Sequence, residues 1–562
     1  MSSLNHQNPL VKAFRRISAK AIPILFIFSS LICSPSLFSQ QAVGRPTLVI
    51  GIVVEQMRYD YLMRFWDKFG DGGFKKLITG GTSCRQASID YMYPQTNPGY
   101  ATIVSGANPR SHGIIADEWF DRVKNKVVSA TTDETQTAIS GLDKDVTCSP
   151  VRLPVSTIGD EMVLANKESK VVSISCKPSS AVMLAGHSSN GAYWLDETSG
   201  EWTTSSYYRT EMPIWAKDFN AKKYCDIYMS KIWTPLLPID TYKDCLPDKN
   251  EYEIGINTKI TFPYQLPLLA EKYKKYKLLK NTPFGNSYTK DFAINAIVGE
   301  NLGKDQNPDL LLISFSATEN IGYRFGSRSI ELEDTYLRLD KELEFFLQFV
   351  EKEVGKNNIL VFLTSTSGTA DNTKQLNDQR IPAGQFKQVK AEQLLKSYLN
   401  AVYGPNDWVS YYGKQTFYLN QTLIEDKKIP LMEVQDKAAN LLVKLTGVSQ
   451  AFTSSILQKT NFTEGVQQQM YNSYNQKRSG DIFLNLEPGW IEQTTTEATA
   501  HNSPYNYDTH IPLIWYGWKV EHLLLTKPVS LTDIAPTISS VLKIAEPNAC
   551  TGKPIREITI NE

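Results

Sequence analysis

The chain has 562 residues, with 59 lysines and arginines against 59 aspartates and glutamates. Zero net charge leaves no electrostatic footprint for nucleic acid or for an anionic membrane surface. With 11% aromatic residues and 28 tyrosines it is too rich in packing groups to be disordered, and it is long enough for one large α/β core with insertions or for several domains.

Taken in chain order, Lys12, Arg15, Arg16 and Lys20 precede an apolar run, Ala21–Ile32, and then a Ser-rich stretch. This is the layout of a secretory signal. The run is short of the about 20 apolar residues that a spanning helix needs. The expectation is therefore a signal peptide over 1–39, cleaved near Gln40. The mature chain, 40–562, would be exported to the periplasm, the outer membrane or the medium. An uncleaved anchor is the alternative, and bulky Leu31 and Ile32 argue against lipid attachment at Cys33. Export leaves Cys84, Cys148, Cys176, Cys225, Cys245 and Cys550, an even number that permits disulfides, with Cys225 and Cys245 the nearest pair. No cysteine spacing matches a zinc finger.

Leu48–Val54 (LVIGIVV) is a continuous apolar, β-branched run, as expected of a buried parallel strand. Phe74–Leu77 reads as a short helix. Next comes Tyr93–Gly113, YPQTNPGYATIVSGANPRSHG. Its Asn97-Pro98-Gly99 predicts a sharp, exposed bend at Thr96 ahead of a helix, a setting that suits a hydroxyl nucleophile facing a phosphate. Thr96 as a helix cap is the structural alternative. Further strands are predicted at Val171–Ser175, Leu310–Ser316, Ile359–Thr364 and Ile511–Tyr516, with a helix over Glu331–Glu353. Strands alternating with helices predict an α/β fold, a mostly parallel sheet sandwiched by helices, with ligands bound where the strands end. Two stretches, about 193–290 and 381–497, break the rhythm and read as inserted cap subdomains.

The ordered motifs VVEQMRYDYL, TNPGYATIVSGANPRSHGI, AGHSSNGAYWLD, DLLLISFSATENIGYRFG, ELEDTYLRLD, VFLTSTSG, SPYNYDTHIPL and CTGKPI resemble the alkaline phosphatase superfamily. The resemblance is to its type I phosphodiesterase/nucleotide pyrophosphatase branch, and within that to exported, phosphate-insensitive bacterial phosphomonoesterases. It implies two zinc ions at the strand ends and a Thr or Ser nucleophile, here Thr96. One ion would be held at positions 319, 323 and 510, normally Asp, His and His. The other would be held at 55, 366 and 367, normally Asp, Asp and His. This sequence has Glu319, Tyr323 and His510, then Glu55, Thr366 and Ser367. Lys177 matches a substrate-binding lysine, but Ser179 replaces an arginine and Asp117 an asparagine that helps bind phosphate. His187 and His501 lie within matching motifs, without a role assigned by spacing.

Zinc takes imidazole, carboxylate or thiolate in a close four-ligand shell. Phenol and aliphatic hydroxyls are poor substitutes, and without an ion Thr96 is not ionised. Two uncompensated carboxylates would each repel phosphate by about 1 kcal/mol at ~4 Å in water-like screening. Alternatively, Glu55 and Glu319 could pair with Lys177 or Arg324, and His510 could be a packed histidine. These departures point to a pseudophosphatase, an exported binding or assembly module of the cell envelope without cofactor. Its partner would be an envelope protein or a glycan, never nucleic acid, with at most peripheral membrane contact. The competing readings are a phosphomonoesterase/phosphodiesterase with a remodelled site, using one or two zinc ions and Thr96 as nucleophile, and a glycan-binding protein using the Tyr/Trp-rich insertions.

Overall fold

In the computed structural model, which describes residues 44–143, 146–271, 275–492 and 497–559, the apolar runs form one nine-stranded sheet. In chain order its strands are β1 (Leu48–Val54), β2 (Thr82–Ser88), β3 (Val171–Ser175), β4 (Gly191–Leu195), β5 (Trp202–Thr203), β6 (Asp309–Phe315), β7 (Ile359–Thr364), β8 (Leu513–Gly517) and β9 (Leu523–Ser530). Across the sheet they lie in the order β9-β2-β8-β7-β1-β6-β3-β4-β5. Only β8 and β5 run against the rest. The signal segment expected over 1–39, with Cys33, lies outside the described residues.

Successive side chains of a strand point to opposite faces. Leu48, Ile50, Ile52 and Val54 accordingly enter one core, while Val49 and Val53 enter the other. Both faces of β1 are covered, which is why its sequence is apolar throughout. On the second face lie α1 (Thr96–Ser105) and α2 (Pro178–Ala185). On the first lie α3 (Phe284–Gly299), α4 (Ala317–Phe325) and the long α5 (Ile330–Glu353). The mostly parallel, helix-covered sheet is the fold the strand pattern predicts. The strand expected at Ile511–Tyr516 is β8 and begins at Leu513, since His510 pairs with Ser88 as an isolated bridge ahead of the regular ladder.

The stretch 193–290 delivers Trp202, Phe219, Trp233, Tyr264 and Tyr288 to the same core as α5. Within 381–497 a four-stranded antiparallel sheet (Val409–Gly413, Thr416–Leu419, Ile482–Leu486, Val448–Thr453) closes on its own core around Trp408, Phe417 and Val434. The cysteines Cys84, Cys148, Cys176, Cys225, Cys245 and Cys550 are free thiols. The suggested Cys225–Cys245 bridge does not form. Cys245 is turned to the Glu333 carboxylate at 2.9 Å, and Cys225 is buried in the aromatic core. Among the described residues no helix is long and apolar enough to cross a membrane.

Candidate active site

Four adjacent parallel strands, in the order β7-β1-β6-β3, end at one edge. β7 runs into Ser365-Thr366-Ser367, β1 into Glu55, β6 into the first turn of α4 with Glu319, and β3 into Lys177 at the start of α2. A parallel sheet gathers chemistry at this edge because every strand delivers its following loop there. The Glu55 backbone is pinned from both sides: its N–H donates to Phe315 O at 3.1 Å, and Thr318 Oγ1 donates to its carbonyl at 2.6 Å.

Thr96 arrives from the second face. The bend expected before the helix is absent. Thr96 is the first residue of α1, after an extended Gln95, and is 7% exposed. Pro98 falls in the first helical turn, where a missing N–H leaves no bond unmade, so the helix absorbs the whole TNPG segment. Gly99 serves close approach rather than a turn: a Cβ there would lie 2.6 Å from Thr366 Cβ. Thr96 does not cap the helix with its side chain. Its hydroxyl instead donates to Glu319 Oε1 at 3.1 Å.

Lys177 completes the arrangement. Its ammonium donates to Glu55 Oε2 at 2.7 Å and to Glu319 Oε2, so the pairing with Lys177 considered from sequence forms, while Arg324 turns away to Gly255 O. Tyr100, Ser180 and Ser314 hydroxyls donate to Glu55 Oε1 at 2.7, 2.8 and 2.9 Å. Burial opposes charge on Lys177, but the two carboxylates outweigh it and raise its pKa. Burial also pushes Glu319 up, yet Lys177 and His501 hold it well below the ordinary carboxylate range. Glu55 is raised, chiefly by burial, with Lys177 acting against the rise.

His510 is not part of the site. Its ring stacks on Tyr59 at 4.5 Å between centroids, and Nε2 lies 2.9 Å from Arg85 O. Paired with Ser88 at the end of β2, it is held on the far side of β7 from Glu55. The histidine that reaches Glu319 is His501, which the spacing alone did not single out. Its Nε2 lies 3.5 Å from Glu319 Oε1 and 2.6 Å from the Tyr323 hydroxyl. Nδ1 lies 2.6 Å from the Pro94 carbonyl, so Nδ1 carries the proton. Burial disfavours the imidazolium, but Glu319 raises the His501 pKa above the usual imidazole value. His187 is occupied by Asp160 and the Leu153 carbonyl. Asp117 sits at the head of α1, where Oδ1 accepts both the backbone and side-chain N–H of Asn97 at 2.8 Å. A cavity of about 230 Å³, lined among others by Gln95, Asp117, Tyr323, His501, Lys414 and Trp490, opens beside these groups.

The donor set does not fit two zinc ions. Around Glu319, the Tyr323 and His501 groups are spent on one another, and Oε2 is spent on Lys177. Around Glu55, the other two positions offer only Thr366 Oγ1 and Ser367 Oγ, buried hydroxyls without a partner among the described residues. With Lys177 seated between Glu55 and Glu319, no three His, Cys, Asp or Glu side chains among the described residues are grouped to hold an ion.

Residues 49–510 match the family described as type I phosphodiesterase/nucleotide pyrophosphatase. The chain belongs to that family. Within it, the chain is 37% identical over 544 residues to alkaline phosphatase PafA of Elizabethkingia meningoseptica, covering 95% of this chain and 99% of the relative. It is 36% identical over 527 residues to alkaline phosphatase PhoV of Synechococcus elongatus (93% and 94% covered). It is also 38% identical over 539 residues to a Myroides odoratus protein named a calcium-transporting ATPase (94% and 98% covered). The crystal structure of PafA superposes with a TM-score of 0.88 at 36% identity, over 92% of this chain and 100% of that one. Full-length similarity to proteins named alkaline phosphatases overturns the reading of this family member as a pseudophosphatase serving binding or assembly. Identity at the ligand positions understates the site: the histidine beside Glu319 is His501 and not His510, and Thr96, Lys177 and His501 all converge on Glu319.

Proposed function

We propose that the chain is a phosphoric ester hydrolase with a remodelled site, in which Thr96 is the nucleophile and Glu319 its general base. The observation that carries this reading is the hydrogen bond from the Thr96 hydroxyl to Glu319 Oε1. A positioned nucleophile and base within hydrogen-bond reach form the minimal unit of covalent catalysis. Attack of Thr96 Oγ1 on phosphorus forms a phosphothreonine and breaks the ester P–O bond. The Thr96 proton passes to Glu319 and onward to the leaving oxygen. Water then attacks the phosphothreonine, Glu319 takes the water proton, and the Oγ1–P bond breaks as that proton returns to Thr96 Oγ1, restoring the hydroxyl and releasing phosphate.

Each group has a cost as well as a use. Lys177 keeps Glu319 ionised and ready to accept a proton, but the depressed pKa also makes it a weak base, so turnover is slow beside an ion-activated alkoxide. The Lys177 ammonium is shared by Glu55 and Glu319, so its pull on developing phosphoryl charge is weaker than that of an unshared cation. The basic-then-apolar N-terminal segment supports export of the hydrolase across the inner membrane.

The test is an assay of the purified chain on p-nitrophenyl phosphate and bis-p-nitrophenyl phosphate. Thr96→Ala is expected to reduce hydrolysis to background. Glu319→Gln, which keeps size and the threonine contact but not the basicity, is expected to lower kcat by about 10²–10⁴-fold. A wild-type chain inert on both esters, or one unaffected by Thr96→Ala, would refute the assignment.

A further inference from the structure

Lys177 does something that the resemblance does not assign to it. A substrate-binding lysine should extend toward the phosphate. Here the ammonium is folded back between two buried carboxylates, with Glu55 0% and Glu319 2% exposed. The geometry is imposed locally. Lys177 lies two residues past the end of β3, its N–H donates to Ser175 Oγ at 3.1 Å, and it occupies the N-cap position of α2. From there the side chain reaches across the ends of β6 and β1.

The carboxylates are shaped to receive it. Glutamate at both positions is one methylene longer than the aspartate that the resemblance expects, and both Oε2 atoms meet at one nitrogen. Three hydroxyls hold the other oxygen of Glu55, and the Thr96 hydroxyl bonds the other oxygen of Glu319. A buried carboxylate pair without a cation would be strongly destabilising. One ammonium with two charge-assisted bonds offsets much of that cost. The arginine that could compete for these carboxylates is absent at Ser179.

We propose that the Lys177 ammonium is the resident cation of this site, seated between Glu55 and Glu319 in place of a divalent ion, and that it keeps divalent ions out. Binding a dication there would first require the ammonium to leave both carboxylates and be buried beside a second positive charge. The same nitrogen couples the two carboxylates, so Lys177 also positions Glu319 for Thr96. In that last respect the inference rests on the proposed hydrolase reading. The exclusion of ions does not.

The experiment measures metal content rather than turnover. The full-length chain is stripped with chelator, equilibrated with zinc chloride alone and desalted. Bound zinc is then read by mass spectrometry, and thermal unfolding is recorded with and without the ion. Wild type is expected to retain only substoichiometric zinc, with no zinc-dependent rise in Tm. Lys177→Ala is expected to take up equimolar zinc and gain Tm with it, because it leaves two carboxylates facing one another with the His501 imidazole 3.5 Å from one of them. Adding Glu319→Gln to that variant should abolish the uptake. If Lys177→Ala does not fold, Lys177→Met, of nearly the same length and without charge, takes its place. Equimolar zinc in wild type that Glu319→Gln releases would overturn the proposal, as would a folded Lys177→Ala or Lys177→Met chain that takes up none. Failure of the hydrolase reading looks different: a chain inert on esters whose zinc uptake still depends on Lys177.

Discussion

Glu55 and Glu319 are single-methylene extensions of the residue type that the resemblance expects, and the extra length is used to meet at Lys177 Nζ. One ammonium faces two carboxylates at this spot, which leaves little positive potential for an incoming anion. Two neighbouring positions reduce it further. Asp117 brings a carboxylate to the head of α1, where its contact with the Asn97 N–H uses a backbone donor that would otherwise face the ligand, and Ser179 brings no charge. A monoester dianion is disfavoured more than a diester monoanion by the same residues. The wild-type chain is therefore expected to hydrolyse the diester with higher kcat/KM. The double substitution Asp117→Asn with Ser179→Arg should shift the monoester-to-diester ratio of kcat/KM toward the monoester by about 10-fold or more, the effect of roughly 1–3 kcal/mol from a charge-assisted bond. An unchanged ratio in a folded variant would count against this account. At this scale the sequence was legible for Thr96, Glu55, Glu319 and Lys177, because each directly follows a strand or opens a helix. It was not legible for His501 against His510. Both follow the same polar stretch, and only the path of the loop, which brings His501 over Pro94 O and binds His510 into the Ser88 bridge, tells them apart.

Helix α1 shows what element-level signals can and cannot convey. Pro and Gly are strong turn punctuators, so TNPG suggests a bend. Yet Pro is harmless in a first helical turn, and Gly99 is needed where the helix crosses Thr366. The strands were far easier to read: β1, β3 and β7 begin and end where their apolar, β-branched runs do, since a strand buried on both faces admits little else. The stretch 193–290 was harder. Its contribution to the core comes from isolated aromatics such as Trp202, Trp233 and Tyr264, held by non-local contacts, and no local period records those. The Gly99 contact can be tested directly. An alanine Cβ would meet Thr366 Cβ, Cγ2 and Cα at 2.6, 2.9 and 3.0 Å, and these atoms belong to a short, fully buried side chain and its backbone. Gly99→Ala is expected to lower unfolding stability by about 1–3 kcal/mol in urea titration, although alanine is the better helix former. It should also impair hydrolysis by moving Thr96 away from Glu319. A variant as stable as wild type would mean that α1 can shift away from β7 without loss.

Across the whole molecule, buried carboxyl groups set how stability depends on pH, and two large effects tie the stretch 193–290 to the long helix α5. Glu331, on α5, has its pKa raised to about 8 by burial, and Tyr264 donates to its Oε1 at 2.6 Å. Glu253 is raised to about 10, first by burial and then by Glu331 itself. Both groups therefore hold a proton in the folded chain at neutral pH and release it more readily when unfolded. A carboxyl raised above its unfolded value contributes stability that is fully present below that unfolded value, near pH 4.5, and is lost as pH rises through the folded value. Asp508, raised to about 7 chiefly by burial, acts in the same direction. His112 acts on the acid side. Burial lowers its pKa to about 3, so its contribution is present above the ordinary imidazole value and is lost as pH falls toward 3. The chain is thus expected to be most stable in mildly acidic to neutral solution, with Tm declining steadily toward pH 9. Glu331→Gln removes one ionisation while keeping an oxygen for Tyr264. It should leave Tm within a few degrees of wild type near pH 6 and flatten the decline above pH 7, so that the variant becomes the more stable protein at pH 9. Calorimetric Tm values from pH 5 to 9.5 for the two chains decide the matter, and parallel curves would show that the Glu331 proton is not linked to folding.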